Sequence, residues 1–182
     1  MKVKIIHKAL RAANCDVFIV PVFKDERPLS RITGLIDWKL SGRISKLIEK
    51  NSFSGELGEK LLFGNISKIG GKNIILIGLG LKKNFGTGSL KNVFDILNES
   101  LPSIMKTSVA IAPEQFLSAH VDVSKVVDSV GRLTSNLLLE SETNKIPTLI
   151  FITYDRTVYN EIKQDLEKWN EKYDLGISVT YE

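Results

Sequence analysis

The run Asp16-Val17-Phe18-Ile19-Val20-Pro21-Val22-Phe23 constrains this chain more than any other feature. Beyond Asp16 it holds no polar residue, and it is rich in β-branched and aromatic side chains. A strand with one wet face alternates polar and apolar residues. A run without alternation predicts a strand covered on both faces, which a mostly parallel sheet between helices supplies.

The rest of the chain fits that reading. Residues 3–7 read as a short first strand, followed after the 16–23 strand by a polar loop over 24–30. Residues 60–66 and 73–79 predict two more strands, with Gly70-Gly71 between them as a hairpin signal. Strands are further expected at 107–112, 147–154 and 175–181. Between them lie helical spacings. Leu40, Ile44, Leu47 and Ile48 predict one continuous helix over 37–50 with a single apolar stripe. Leu90, Val93, Phe94, Leu97 and Leu101 space a second helix, ended by Pro102. Val123, Val126, Val127, Val130, Leu133 and Leu137 line a third over 122–139, with Asp122 as its N-cap. Val158, Ile162, Leu166 and Trp169 line a fourth. Strands alternating with helices predict an α/β fold with a mixed, mostly parallel sheet and helices on both faces. No repeat or linker divides the 182 residues, so a single domain over 1–182 is expected.

Composition narrows the functional classes. Hydrophobic residues at 43% and charged residues at 25% suit a globular chain and exclude a disordered one. Cys15 is the sole cysteine, so no intramolecular disulfide can form, and its place beside the apolar run suggests a buried, inert thiol. The start, Met1-Lys2-Val3-Lys4-Ile5-Ile6-His7, is too short and too charged for a signal peptide, and no run approaches the ~20 apolar residues of a membrane span. A soluble, cytoplasmic protein without membrane contact is expected. The formal charge of +4 permits an anionic partner without requiring one.

Three stretches carry a family resemblance. The first is Asp37-Trp38-Lys39-Leu40-Ser41-Gly42-Arg43-Ile44-Ser45-Lys46-Leu47-Ile48, followed by the loop Phe53-Ser54-Gly55-Glu56-Leu57-Gly58. The second is Ile74-Ile75-Leu76-Ile77-Gly78-Leu79-Gly80, and the third is Leu137-Leu138-Leu139-Glu140-Ser141-Glu142-Thr143-Asn144-Lys145. In order and spacing the set resembles the amino-terminal domain of the cytosolic leucyl aminopeptidase family. The resemblance implies a macro-domain-like, three-layer α/β fold. It also implies that the two metal ions, their carboxylate and lysine ligands and the bicarbonate-type catalytic site belong to a carboxy-terminal domain that this chain stands without. The family's Asn-Thr-Asp-Ala-Glu-Gly-Arg signature is absent from the sequence. No position therefore inherits a catalytic or metal-binding role, and no cofactor is expected.

Two binding candidates remain. Gly78 and Gly80 leave a strand and open a loop that continues through Lys82, Lys83, Gly86, Gly88 and Ser89. Glycines let backbone N–H groups approach a phosphate. The third glycine of a dinucleotide fingerprint is replaced by Lys83, and a tight turn is the simpler reading. Lys39, Arg43, Lys46 and Lys50 recur at helical spacing, which would align them on one face toward phosphate or an acidic partner, or simply toward solvent. His7 and His120 have no second ligand at metal spacing. Glu56 and Glu59 flank Gly58 without the marks of a tuned acid pair, and no serine sits in a nucleophile elbow.

Three functions compete. The first is a non-catalytic interaction, assembly or regulatory domain that joins itself or an aminopeptidase catalytic partner. Some members of the resembled family use this domain in DNA binding, which adds nucleic acid as a possible partner. The alternative is a macro-type binder of a nucleotide or ADP-ribose-like ligand. Metal-dependent aminopeptidase activity ranks last.

Overall fold

The fold was obtained as a computed structural model that describes residues 2–64, 66–104, 107–140, 148–173 and 178–181. The strands are β1 (Lys2–His7), β2 (Cys15–Val22), β3 (Lys60–Gly64), β4 (Gly71–Gly78), β5 (Ser108–Ile111), β6 (Thr148–Thr153) and β7 (Ser178–Tyr181). The helices are α1 (Arg31–Lys39), α2 (Arg43–Glu49), α3 (Thr87–Ser100), α4 (Val123–Glu140) and α5 (Arg156–Tyr173). The strands form one sheet in the order β3-β4-β2-β5-β6-β1-β7. Every pairing is parallel except β3 with β4, where Leu62 faces Ile75 and Gly64 faces Asn73. This is the mixed, mostly parallel sheet that the unbroken apolar runs require.

All eight residues of β2 are buried. Its pleat divides them between two cores. Val17 and Ile19 join Ile75, Val109 and Phe151 under α3, α4 and α5, where Leu97, Val126 and Ile162 close the layer. Phe18 and Val20 join Ile74, Leu76, Ala110 and Ile150 on the opposite face, under Ile32, Ile36 and Ile44 of α1 and α2. Helices therefore cover both faces of the sheet.

The expected helix over 37–50 is in fact two. Gly42 adopts a left-handed backbone (φ +73) between α1 and α2 and returns its N–H to the Asp37 carbonyl at 2.9 Å. Of the expected stripe only Ile44 is fully buried, while Leu40, Leu47 and Ile48 pack at its margin. The polar loop 24–30 ends where α1 begins, at Arg31, a helix start the periodicity does not mark. Between β3 and β4 the hairpin reading holds, with a 3-10 turn at Ser67–Ile69 and Gly70 at φ +79. Helix α3 starts at Thr87, so Gly88 and Ser89 belong to its first turn and not to the preceding loop. The third family-like stretch runs from α4 into residues 141–145, which lie outside those described, as does the side chain of Leu137.

Candidate functional site

In open α/β sheets, ligands bind beyond the carboxyl ends of the strands. Three segments meet at that edge here. After β5 the chain turns through Pro113–Phe116, which buries Glu114. After β6 it passes Thr153, Tyr154 and Asp155 into α5. Opposite them stands the first turn of α1, with Arg31 at φ +50. Arg31 Nη1 donates to the Glu114 carbonyl at 2.6 Å, and Gln115 Nε2 donates to the Ser30 carbonyl at 3.2 Å. These bonds lace the helix start to the turn.

Between them opens a cleft of about 430 Å³. Ile32, Leu35, Leu117 and Val158 supply apolar wall, and Tyr154 supplies a ring. Arg31, Glu114 and Asp155 supply charge. The Glu114 carboxyl accepts from the Thr153 hydroxyl and from the Tyr154 N–H at 3.3 Å. Burial pushes its pKa up; its two donors and Arg31 pull the other way, the Asp155 charge adds to the rise, and the net direction is upward. Asp155 Oδ1 accepts from the N–H groups of Thr157 (2.8 Å) and Val158 (3.3 Å), which caps α5.

The loop singled out in the sequence lies at the carboxyl end of β4, and none of its named residues lines this cleft. Gly78 N–H donates to the Glu59 carbonyl at 2.7 Å and Gly80 N–H to the Gly55 carbonyl at 2.9 Å. A Cβ on Gly78 would stand 1.9 Å from the Glu56 carbonyl oxygen, so glycine is required for the close approach of this turn to the 55–59 loop. Lys82 is held by Glu26 (2.9 Å), its N–H by Asp25 (3.0 Å), and its ammonium lies 5.3 Å from the centre of the Phe23 ring. Lys83 is exposed, and Gly86 precedes the first residue of α3. Glu59, unremarkable in sequence, accepts from the N–H groups of Ser54 (2.9 Å), Gly55 (2.9 Å) and Glu56 (3.2 Å). Burial works against its charge, but these bonds and the Ser54 hydroxyl hold its pKa below the ordinary value.

The break at Gly42 means that the basic row does not share one helix face. Lys39 ends α1, with its ammonium 5.6 Å from the centre of the Trp38 ring. Arg43 starts α2, stacks 4.4 Å from the centre of the Phe63 ring and donates to the Gly64 carbonyl at 2.9 Å. Lys46 donates to the Ser41 carbonyl at 3.4 Å, and Lys50 is the C-cap of α2. Among the described residues, no group of three or more histidine, cysteine or acidic side chains could hold a metal ion, and no helix is long and apolar enough to cross a membrane.

Sequence reasoning passed over Arg31, Glu114, Tyr154 and Asp155. A signal was present: Glu114 and Asp155 follow the ends of apolar strands within three residues, where parallel sheets place functional groups.

Comparison with known proteins agrees with this architecture. A macrodomain from Oceanobacillus iheyensis solved with ADP shares the fold with a TM-score of 0.67 at 13% identity, covering 92% of this chain and 91% of that one. A Trypanosoma brucei macrodomain in complex with ADP-ribose gives 0.67 at 11% identity, covering 90% and 68%. A mutant leucine aminopeptidase from tomato gives 0.59 at 16% identity, covering 91% of this chain and 35% of that one. In sequence, the "Probable cytosol aminopeptidase" of Alkaliphilus metalliredigens (strain QYMF) is 29% identical over 135 residues, 74% of this chain and 27% of that protein. Its namesake in Burkholderia thailandensis is 27% identical over 138 residues, 76% and 26%. The chain thus spans about a quarter of the length of these curated relatives. The profile of the cytosol aminopeptidase family, N-terminal domain, matches residues 19–141, more than half of the chain. On that match, which runs from within β2 to the end of α4, the chain belongs to the cytosol aminopeptidase family through its N-terminal domain.

Proposed function

We propose that the chain acts as a non-catalytic assembly or regulatory domain, joining an aminopeptidase catalytic domain or a second copy of itself. Trp38 carries this reading. It is 74% exposed at the end of α1, beside a groove formed by Pro28, Leu29, Ser41 and Gly42. Tryptophan in such a place is what binding hot spots use, because one ring excludes much water when covered. The family match supports the reading, since in the curated relatives this domain is joined to a far larger remainder. Lys39 and Lys46 flank the groove and form a basic rim in this proposal, with Lys50 extending it. Arg43 holds α2 against β3. The work is placed in the cytosol, as the relatives' names suggest.

Light scattering on the chain alone, and capture of a purified aminopeptidase catalytic domain, test this. Association weakened about tenfold or more by Trp38→Ala is expected. A strictly monomeric chain that captures no catalytic domain would overturn it. Aminopeptidase assays of this chain with manganese or zinc are expected to show no turnover.

A second reading, a binder of a nucleotide or ADP-ribose, is favoured by the start of α3 at Gly86, which has no side-chain cap, and by the fold shared with macrodomains solved with ADP and ADP-ribose. Its phosphate contacts would come from Lys82, Lys83, Gly86, Gly88 and Ser89 beyond the Gly78-Leu79-Gly80 turn. Calorimetry against ADP-ribose decides it, and absence of heat at millimolar ligand would remove it.

A further inference from the structure

Three backbone sites that would suit a phosphate are filled by the chain's own carboxylates, while the start of α3 at Gly86, which does not line the cleft, has no side-chain cap. Glu59 occupies the N–H groups of residues 54–56, Asp155 caps α5, and Asp37 Oδ1 takes the N–H groups of Ile44 (2.7 Å) and Ser45 (3.1 Å) at the start of α2. The turn after β5 opens with Pro113, which has no N–H. The cleft instead sets one guanidinium and two carboxyl groups beside an apolar wall. Arg31 gives one of its five N–H donors to the Glu114 carbonyl. The hydrogen bonds that the Asp155 carboxylate accepts within the described residues fall on Oδ1, which leaves Oδ2 for a cation. Glu114 is buried at the same cleft, whose lining it shares with Asp155.

Groups of both signs in one small cleft call for a ligand that carries both signs. A wall of Leu35, Leu117 and Val158 calls for an apolar body. We propose that the cleft binds a free α-amino acid with an apolar side chain. Its carboxylate would pair with Arg31, its ammonium with Asp155 and Glu114, and its side chain would lie on Leu117, Val158 and the Tyr154 ring. A diphosphate fits poorly, because it would meet two carboxyl groups with one guanidinium to offset them. Free amino acids are what an aminopeptidase releases, so a site of this kind on a non-catalytic domain reads product concentration. The inference goes beyond the assembly reading: it is tested by binding to the chain alone, while that reading is tested by association.

The experiment is calorimetry on the 182-residue chain with L-leucine and L-phenylalanine. Leucinamide, which lacks the carboxylate, N-acetyl-L-leucine, which lacks the ammonium, and ADP-ribose serve as comparison arms. Saturable binding of leucine or phenylalanine is expected, weakened about tenfold or more for each blocked analogue, as loss of a charged hydrogen bond implies. Arg31→Gln and Asp155→Asn should each weaken leucine by about tenfold. Asparagine caps a helix as well as aspartate, so Asp155→Asn keeps the fold even if Arg31→Gln does not. The proposal is overturned by absence of heat from both amino acids up to about 10 mM, well past the dissociation constants of millimolar sites. Equal binding of the blocked analogues, unaltered affinity in Asp155→Asn, or binding of ADP-ribose alone would overturn it too.

Discussion

Asp16 sets a charge into the second residue of β2, an interior strand of the sheet, where it is 4% exposed. Oδ1 meets Lys72 at 2.6 Å, and Oδ2 accepts from the Thr107 N–H at 2.7 Å and the Ser108 N–H at 3.0 Å. One carboxylate thereby ties β2 to β4 and to the start of β5. Burial favours the neutral acid, but the bonds from Lys72, Thr107 and Ser108 outweigh it and hold the pKa at about 2. A folded pKa below the unfolded one gives stability that is fully present above about pH 4 and lost as pH falls toward 2. The shift corresponds to roughly 2 kcal/mol. Asp16→Asn should therefore cost about 2 kcal/mol in urea unfolding at pH 7, with the gap closing toward pH 2; a gap that stayed constant with pH would refute this role. The sequence could not disclose it, because the donors lie 91 and 92 residues away. Cys15, next door, was legible: an apolar neighbourhood implied a buried thiol, and burial pushes its pKa up to about 12.

Helix α2 is capped from an unexpected place. Its start is satisfied by Asp37, which sits inside α1 and also takes the Ser45 hydroxyl at 2.6 Å. The apolar spacing across residues 40–48 concealed the break because a turn through Gly42 returns Ile44 to the same core as Ile36. Ser41-Gly42 was the available warning, since glycine commonly ends helices in a left-handed conformation. Asp37→Ala should cost about 2 kcal/mol, the upper end for a lost cap, because the buried Ile44 N–H loses its acceptor. A change below about 0.5 kcal/mol in chemical denaturation would show that another group replaces it. Packing of α4 on α5 is as specific. A Cβ on Gly131 would stand 1.5 Å from Cη2 of Trp169, so the absent side chain is the seat of the ring. Alanine improves helix propensity by about 1 kcal/mol, whereas an overlap of this size forces the indole away, at about 1–3 kcal/mol or more. The second effect should win. Gly131→Ala is expected to lower Tm, and adding Trp169→Leu to recover part of the loss. A Tm at or above the parent's would mean that the ring has room to spare.

At the scale of the whole molecule, periodicity told which residues face inward, and with them the class of fold, but not strand order. That order depends on pairings such as Lys2 with Thr148, which no local pattern encodes. The consequence is mechanical. Strand β1 lies between β6 and β7, so the beginning of the chain is held between two late strands of the same sheet. Each core uses side chains from β2, β4, β5 and β6, so neither layer of helices can leave without exposing strands the other layer also needs. We therefore expect the 182 residues to unfold as one cooperative unit, as a single domain would. The two tryptophans report opposite layers, Trp38 on α1 and Trp169 on α5. Urea unfolding of Trp38→Phe and of Trp169→Phe, each followed by its remaining indole and by far-UV circular dichroism, should give coincident curves within each variant. Amide exchange should be slowest across residues 17–19 of β2, paired on both sides, and faster in β3, which borders solvent along one edge. Indole and dichroism midpoints separated by more than about 0.5 M urea would mean that the layers come apart in turn, and β3 amides as slow as those of β2 would mean that something covers that edge.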